Sequence, residues 1–251
     1  MIRGLAQNRS RARALIMAAD VFVNGETVTR AGATVHKADD ISLRAAPKFV
    51  SRGGEKLDHA LFTFRIEVRD LVAADFGAST GGFTDCLLQH GAARVYAIDV
   101  GYGQLATRLR SDPRVIVIER TNVRHLESLP ERVDLVTIDV SFIGLGLVLP
   151  TAGNLLNDNG QIVALVKPQF EAGRAEVGRG GVVREPDTHR RVLQNFFRTA
   201  NELGLGITGL TASPLRGPAG NIEFLAVLAP GASSVPMDEA IERSLAEAPG
   251  E

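Results

Sequence analysis

Between residues 71 and 166, short apolar runs alternate with stretches of helical character, and this alternation constrains the fold more than any other feature of the chain. The runs are Leu71–Phe76, Arg94–Asp99, Val115–Glu119, Val133–Asp139 and Gln161–Val166, with helical segments around Gly82–His90, Gln104–Arg110 and Gly144–Leu156. Apolar strands spaced in this way by helices predict an α/β fold with a parallel, doubly wound sheet of Rossmann-like type. A longer helix, Pro186 to Leu203, precedes two further runs, Leu205–Ala212 and Ile222–Leu228, whose spacing suits an antiparallel hairpin at a sheet edge. The one candidate membrane span, Leu135–Leu156, contains Asp139, Pro150 and several glycines, so it reads as a buried strand followed by a helix.

The first residues have a different character. Ser10 is placed to cap a helix running to Asp20, with Ala12, Leu15, Ile16 and Ala19 on one face. A hairpin follows, Val21–Val23 and Glu26–Val28 around Asn24-Gly25, and Asp40–Arg44 can add a short strand. Residues 1–46 therefore predict a small α+β module, 47–54 a linker, 55–230 the sheet domain opening with a helix Glu55–Phe64, and 231–251 a mobile tail with one short helix at Asp238–Ala246. Residues 1–56 hold ten Lys and Arg against five Asp and Glu, whereas 57–251 hold eighteen against twenty-four. A basic head on an acidic body suggests a polyanion-binding appendage, with Arg3, Arg9, Arg11 and Arg13 as its phosphate-gripping candidates. No long apolar run follows these arginines, so they do not open a signal peptide and a cytoplasmic protein is expected.

The segment Asp75-Phe76-Gly77-Ala78-Ser79-Thr80-Gly81-Gly82 closes the first strand and opens a helix, which puts an exposed-backbone turn at the carboxyl end of the sheet, where ligands bind. It is not G-x-G-x-x-G, since Ser79 stands where the glycine for pyrophosphate approach would be. Such a loop suits a compact ligand without phosphates. Asp99, ending the next strand, can accept hydrogen bonds from two ribose hydroxyls, and Asn122 can lie beside an adenine. Together they suggest S-adenosylmethionine, with NAD as the competing ligand.

Four ionisable residues fall at element ends: Lys56 before the sheet, Asp139 ending the fourth strand, Lys167 ending the fifth and Glu223 in the final hairpin. Only four residues are Lys against twenty-four Arg, so a Lys at these positions calls for a reason. Methylating a ribose hydroxyl requires removal of a proton from a weak acid, which a neutral Lys amine can accept and an Arg cannot. Asp139 and Glu223 would orient the amines and balance their charge. Asp139-Val140-Ser141-Phe142 lacks the Pro-Pro-aromatic segment expected for methylation of an exocyclic base nitrogen. Cys86 lies inside a helix, where packing is its default role, and a single Cys excludes a disulfide framework or a Cys-based zinc cluster. The five His, at 36, 59, 90, 125 and 189, show no ligand spacing, so no metal is expected.

These residues sit in a set of motifs: Val50-Ser51-Arg52-Gly53-Gly54-Glu55-Lys56-Leu57, the loop Asp75 to Thr84, Glu119-Arg120-Thr121-Asn122, Asp139-Val140-Ser141-Phe142, Lys167-Pro168-Gln169-Phe170-Glu171, Gly180-Gly181-Val182-Val183-Arg184 and Gly220-Asn221-Ile222-Glu223-Phe224. With them the chain resembles the TlyA, or haemolysin A, family of ribosomal RNA ribose 2′-O-methyltransferases, related to the FtsJ heat-shock methyltransferase, over residues 1 to about 230. The resemblance implies a class I methyltransferase sheet and puts the family's Lys-Asp-Lys-Glu tetrad on Lys56, Asp139, Lys167 and Glu223. It implies S-adenosylmethionine held by Asp75, Gly77, Ala78, Ser79, Thr80, Gly81, Asp99, Asn122 and Asp139. Cytidine in ribosomal RNA, within assembled subunits, is the implied substrate. The basic head resembles the RNA-binding module of a ribosomal small-subunit protein, through Arg3-Gly4-Leu5-Ala6, Ser10-Arg11 and Val23-Asn24-Gly25, so Arg52 joins the four head arginines as an RNA contact. The family's Leu-rich helix before Arg-Gly-Leu is not found ahead of it, so either a start assigned late or an incomplete module is expected. The rival functions are an assembly factor with an inactive methyltransferase fold and a membrane-active haemolysin.

Overall fold

The computed structural model describes residues 3–44, 47–173 and 176–250. The chain divides into two compact units, Met1–Pro47 and Lys48–Glu251.

In the first unit, α1 (Arg9–Met17) is followed by β1 (Val21–Val23), β2 (Glu26–Thr27) and β3 (Ile41–Leu43), which form an antiparallel sheet in the order β2-β1-β3. The cap of α1 is Asn8 rather than Ser10: the Asn8 side chain accepts the Arg11 N–H at 2.8 Å, and Ser10 lies one residue inside the helix. Asn24 and Gly25 both take positive φ, as the short hairpin between β1 and β2 requires.

The second unit contains α2 (Gly53–Phe64), β4 (Val72–Phe76), α3 (Gly82–Gln89), β5 (Arg94–Ile98), α4 (Thr107–Arg110), β6 (Val115–Ile118), β7 (Val133–Ile138), α5 (Leu149–Leu155), β8 (Leu156–Val166), α6 (Pro168–Glu171), α7 (Pro186–Glu202), β9 (Leu205–Ala212), β10 (Phe224–Pro230) and α8 (Met237–Ala246). Its seven strands run in the order β6-β5-β4-β7-β8-β10-β9. β4 to β8 are parallel, and β10 is antiparallel to both β8 and β9. Alternate residues of each strand feed two separate cores. Phe76, Ile138, Val166 and Phe224 join the core on one face, and Ala73, Leu135, Leu165 and Leu225 the core on the other. Burial on both faces is why these strands read as unbroken apolar runs.

Two segments depart from expectation. The helix expected over Gly144–Leu156 is a short helical turn, Leu145–Leu147, followed by α5, and β8 already begins at Leu156. The ladder between β7 and β8 slips between the Val133–Leu156 and Leu135–Gln161 rungs, which absorbs the polar run Asn157–Gly160. Residues 231–251, expected as a mobile tail, include α8, which packs on α7 and β9 and buries Ala240, Ile241 and Ser244. The small, partly polar face of α8 gave no clear apolar stripe in the sequence. No helix of the described residues is long and apolar enough to cross a membrane.

Candidate active site

Sheet register brings three of the four candidate residues Lys56, Asp139, Lys167 and Glu223 together. Phe224 of β10 pairs with Val166 of β8, so Glu223 and Lys167 leave adjacent strands side by side. Ile138 of the neighbouring parallel strand pairs with Ala164, and Asp139 follows it. Lys56 arrives from α2, whose buried face is Gly54, Lys56, Leu57, Ala60 and Leu61. All four line one cavity of about 510 Å³, together with Ser51, Arg52, Gly77–Thr80, Phe83, Ser141 and Arg216 among others.

The charges in this cavity are matched in pairs. Lys56 Nζ donates to Glu223 Oε2 at 2.5 Å, and Glu223 is 1% exposed. Lys167 Nζ lies 2.7 Å from Asp139 Oδ1 and donates to Ser141 Oγ at 3.0 Å. Burial holds the Asp139 carboxyl above its ordinary range, and its two lysine neighbours only partly offset this. The Gln169 amide donates to the second Glu223 oxygen at 3.4 Å.

The loop after β4 forms one wall. Gly77 (φ +84°) lies against β7, and a Cβ there would come 2.6 Å from the Asp139 carbonyl. Gly81 (φ +97°) leaves space filled by Leu105 and Leu109. Ser79, at φ +48°, donates its backbone N–H to Asp99 Oδ2 at 2.8 Å. Of the sequence-derived cofactor candidates, Gly81, Asp99 and Asn122 fall outside the cavity lining. Gly77, Ala78, Ser79, Thr80 and Asp139 line the cavity. Asp75 does not: it is fully buried, with Thr84 and Thr137 hydroxyls donating to its two oxygens at 2.7 and 3.0 Å. Burial pushes its carboxyl up to about 7. Asp75 therefore ties β4 to α3 and β7 from beneath the loop. Asp99 also receives the Gly101 N–H, which leaves each carboxylate oxygen one lone pair for a ligand. Asn122 caps the turn Val123–His125 by accepting the Arg124 N–H.

The basic candidates divide similarly. The Arg3 guanidinium donates to the carbonyls of His36, Lys37 and Asp39, so it braces its own unit rather than extending toward a partner. Arg9, Arg11 and Arg13 are exposed on α1. Arg52 stands at the cavity rim and donates to the Arg216 carbonyl at 2.9 Å. Ser51, Phe83, Ser141 and Arg216 line the cavity without having been assigned a role from the sequence. Ser141 carried a signal, being two residues past a strand-terminal Asp; Arg216 sits in a connection whose place depends on how β10 inserts. His90, scattered from the other histidines in sequence, meets Asp58 at 2.8 Å with Cys86 nearby, and Lys48 takes the other Asp58 oxygen at 2.6 Å.

Comparison with known proteins identifies the family of both parts of the chain. Residues 49–229 match the FtsJ-like methyltransferase family and residues 2–41 the S4 domain. The chain is 44% identical to the 16S/23S rRNA (cytidine-2′-O)-methyltransferase TlyA of Mycobacterium tuberculosis, covering 98% of this chain and 95% of that protein. It is 42% identical to Hemolysin A of Brachyspira hyodysenteriae, covering 89% and 94%. A solved hemolysin structure from Streptococcus thermophilus superposes with a TM-score of 0.77 at 42% identity, covering 98% and 93%. The chain belongs to the TlyA family of FtsJ-like methyltransferases, with an S4 domain ahead of the methyltransferase domain.

Proposed function

We propose that this protein transfers a methyl group from S-adenosylmethionine to the 2′-hydroxyl of a cytidine in ribosomal RNA, within ribosomal subunits in the cytoplasm. The observation that carries this reading is the convergence of Lys56, Asp139, Lys167 and Glu223 on the cavity walled by Gly77–Thr80. The nucleotide and the RNA follow the relative's name.

The residues present fit the cofactor. A glycine cradle that a Cβ would fill lets backbone approach a ligand closely, and the loop has no phosphate-binding fingerprint. Gly77, Ala78, Ser79 and Thr80 would hold it, with the remaining lone pairs of Asp99, beside the Ser79 N–H, to accept ribose hydroxyls and Asn122 close in sequence to the third strand end. When bound, S-adenosylmethionine supplies an electrophilic methyl group. The rest of the reaction falls to this chain. Lys167 acts as base through the lone pair of its unprotonated amine, which Asp139, 2.7 Å away, orients. Lys167 Nζ then takes the hydroxyl proton as the oxygen is methylated. Lys56, locked to Glu223, keeps positive charge beside the developing alkoxide. Phe142, 91% exposed and tilted against Phe170 at 5.0 Å, offers a face on which a displaced base can stack. Arg9, Arg11, Arg13 and Arg52 would contact RNA phosphates.

The test is methyl transfer from labelled cofactor to unmodified small and large subunits, followed by nucleoside identification. Label in 2′-O-methylcytidine that falls at least about 100-fold in Lys167→Ala, with cofactor binding intact, is the expected result. Full activity of that variant would remove Lys167 as base, and cofactor binding without transfer would favour the assembly-factor alternative.

A further inference from the structure

We propose that Glu171 is a positioning residue for methyl transfer: its carboxylate holds the turn after β7, and with it Ser141 and Phe142, in place over Lys167. The proposal rests on the function inferred above.

Two segments meet over the cavity, residues 139–145 after β7 and residues 167–172, which carry α6, after β8. Three residues of the second segment reach the first. Lys167 reaches Asp139 and Ser141, Phe170 meets Phe142, and Glu171 Oε1 accepts the Leu145 N–H at 2.8 Å. The first two involve groups that exchange protons or face substrate in the proposed reaction, so they cannot serve as fixed anchors through the cycle. Glu171 lines no part of the reaction cavity.

The turn needs an anchor. Phe142 takes φ +63°, which a bulky side chain adopts only when its surroundings impose it, and the ring is almost wholly exposed, so its own packing does not impose it. The helical turn Leu145–Leu147 that follows is preceded by Gly144, which has no side chain to cap it. Glu171 supplies that cap from the end of α6, accepting the first N–H of the turn, as a capping carboxylate does within a single helix. Leu145 is 2% exposed, so its N–H has no water to turn to. Burial raises the Glu171 carboxyl above its ordinary range while the Leu145 N–H favours its charged form. A carboxylate is therefore kept in an unfavourable place where it serves one backbone amide, and that amide begins three residues after Phe142.

The test compares Glu171→Ala with Glu171→Gln, which keeps an acceptor oxygen at the same reach. Glu171→Ala should lower kcat at least about tenfold, the scale of a small misplacement at a reacting centre. KM for RNA and affinity for S-adenosylhomocysteine should stay within about twofold, and Glu171→Gln should recover most of kcat. A role confined to fold stability predicts instead a lower melting temperature with unchanged kcat in the folded fraction, and that outcome overturns the proposal. So does a Glu171→Gln variant as slow as Glu171→Ala. The chain has no Trp, so Phe142→Trp provides a single fluorescent reporter of the turn, independent of methyl transfer. Acrylamide quenching of that reporter should change when Glu171→Ala is added and return toward the original value with Glu171→Gln. Unchanged quenching would refute the proposal even if the function were different, and a wild type that transfers no methyl to RNA would refute the function while leaving this arm readable.

Discussion

Asp75→Asn should make the protein more stable at alkaline pH and change how stability varies with pH. Asp75 is fully buried under the loop after β4, and its carboxyl is pushed from 3.8 up to about 7, chiefly by burial. A carboxyl whose folded value exceeds its unfolded value binds its proton more tightly in the folded state, so its stabilising contribution is complete below about 4 and is lost as pH rises through about 7. At about 1.4 kcal/mol per tenfold change in proton affinity, the full loss by pH 8 is about 4 kcal/mol as an upper bound. Asn can accept from Thr84 and donate to the Thr137 oxygen, at a cost of about 1 kcal/mol for the altered hydrogen bond. That cost is the same at every pH, so the wild-type-minus-variant difference isolates the titration. Melting followed by circular dichroism from pH 4.5 to 8.5 should show the variant no better than wild type at the acid end. At the alkaline end it should melt at least about 5 °C higher, given about 2–4 °C per kcal/mol for a domain of this size. Parallel Tm curves across the whole range would refute the reasoning, because they would mean that Asp75 titrates in the folded protein as it does in the unfolded chain.

Three further outcomes follow from the same geometry. Gly77→Ala places a Cβ 2.6 Å from the Asp139 carbonyl at a positive φ; calorimetry should show at least about a tenfold loss in affinity for S-adenosylhomocysteine, and unchanged affinity would mean that the cradle does not hold the cofactor. Glu223→Ala strips the buried Lys56 ammonium of its partner, which should cost about 3–5 kcal/mol in urea unfolding; a loss below about 1 kcal/mol would mean that Lys56 finds another partner or sheds its charge. Replacing Arg9, Arg11 and Arg13 together with Ala should weaken RNA binding and lower the slope of log affinity against log salt by up to about 0.7–0.9 for each phosphate no longer neutralised. An unchanged slope would take α1 out of the RNA interface.

The sheet was legible because strands covered on both faces are written as apolar runs, and each of the seven appears close to its expected place. The convergence of the candidate residues was legible for a related reason: Asp139 and Lys167 are polar residues directly at the ends of such runs, and Lys is scarce in an Arg-rich chain. What stayed hidden depended on packing between distant segments. Asp75 stands at the head of the cofactor loop in sequence, yet the two threonines that claim it come from α3 and β7, and only the folded register shows that its carboxylate faces inward. Arg3 reads like any basic head residue until the carbonyls of residues 36, 37 and 39 are brought around it. α8 was missed as a packed element because alanine and serine bury well against a close neighbour without announcing themselves as hydrophobic.

β10 is the last strand of the sheet to be made, yet it lies between β8 and β9 rather than at the edge. A growing polypeptide can form β4 through β8, with the loop after β4 and Lys167 already in place, while Lys56 still has no Glu223 to meet. The final strand docks on β8 with its hairpin partner β9 outside it, and its arrival closes the charge pattern of the cavity. Pairing of the buried Lys56 with Glu223 is thus left to the last strand of the sheet, the one farthest along the chain from α2.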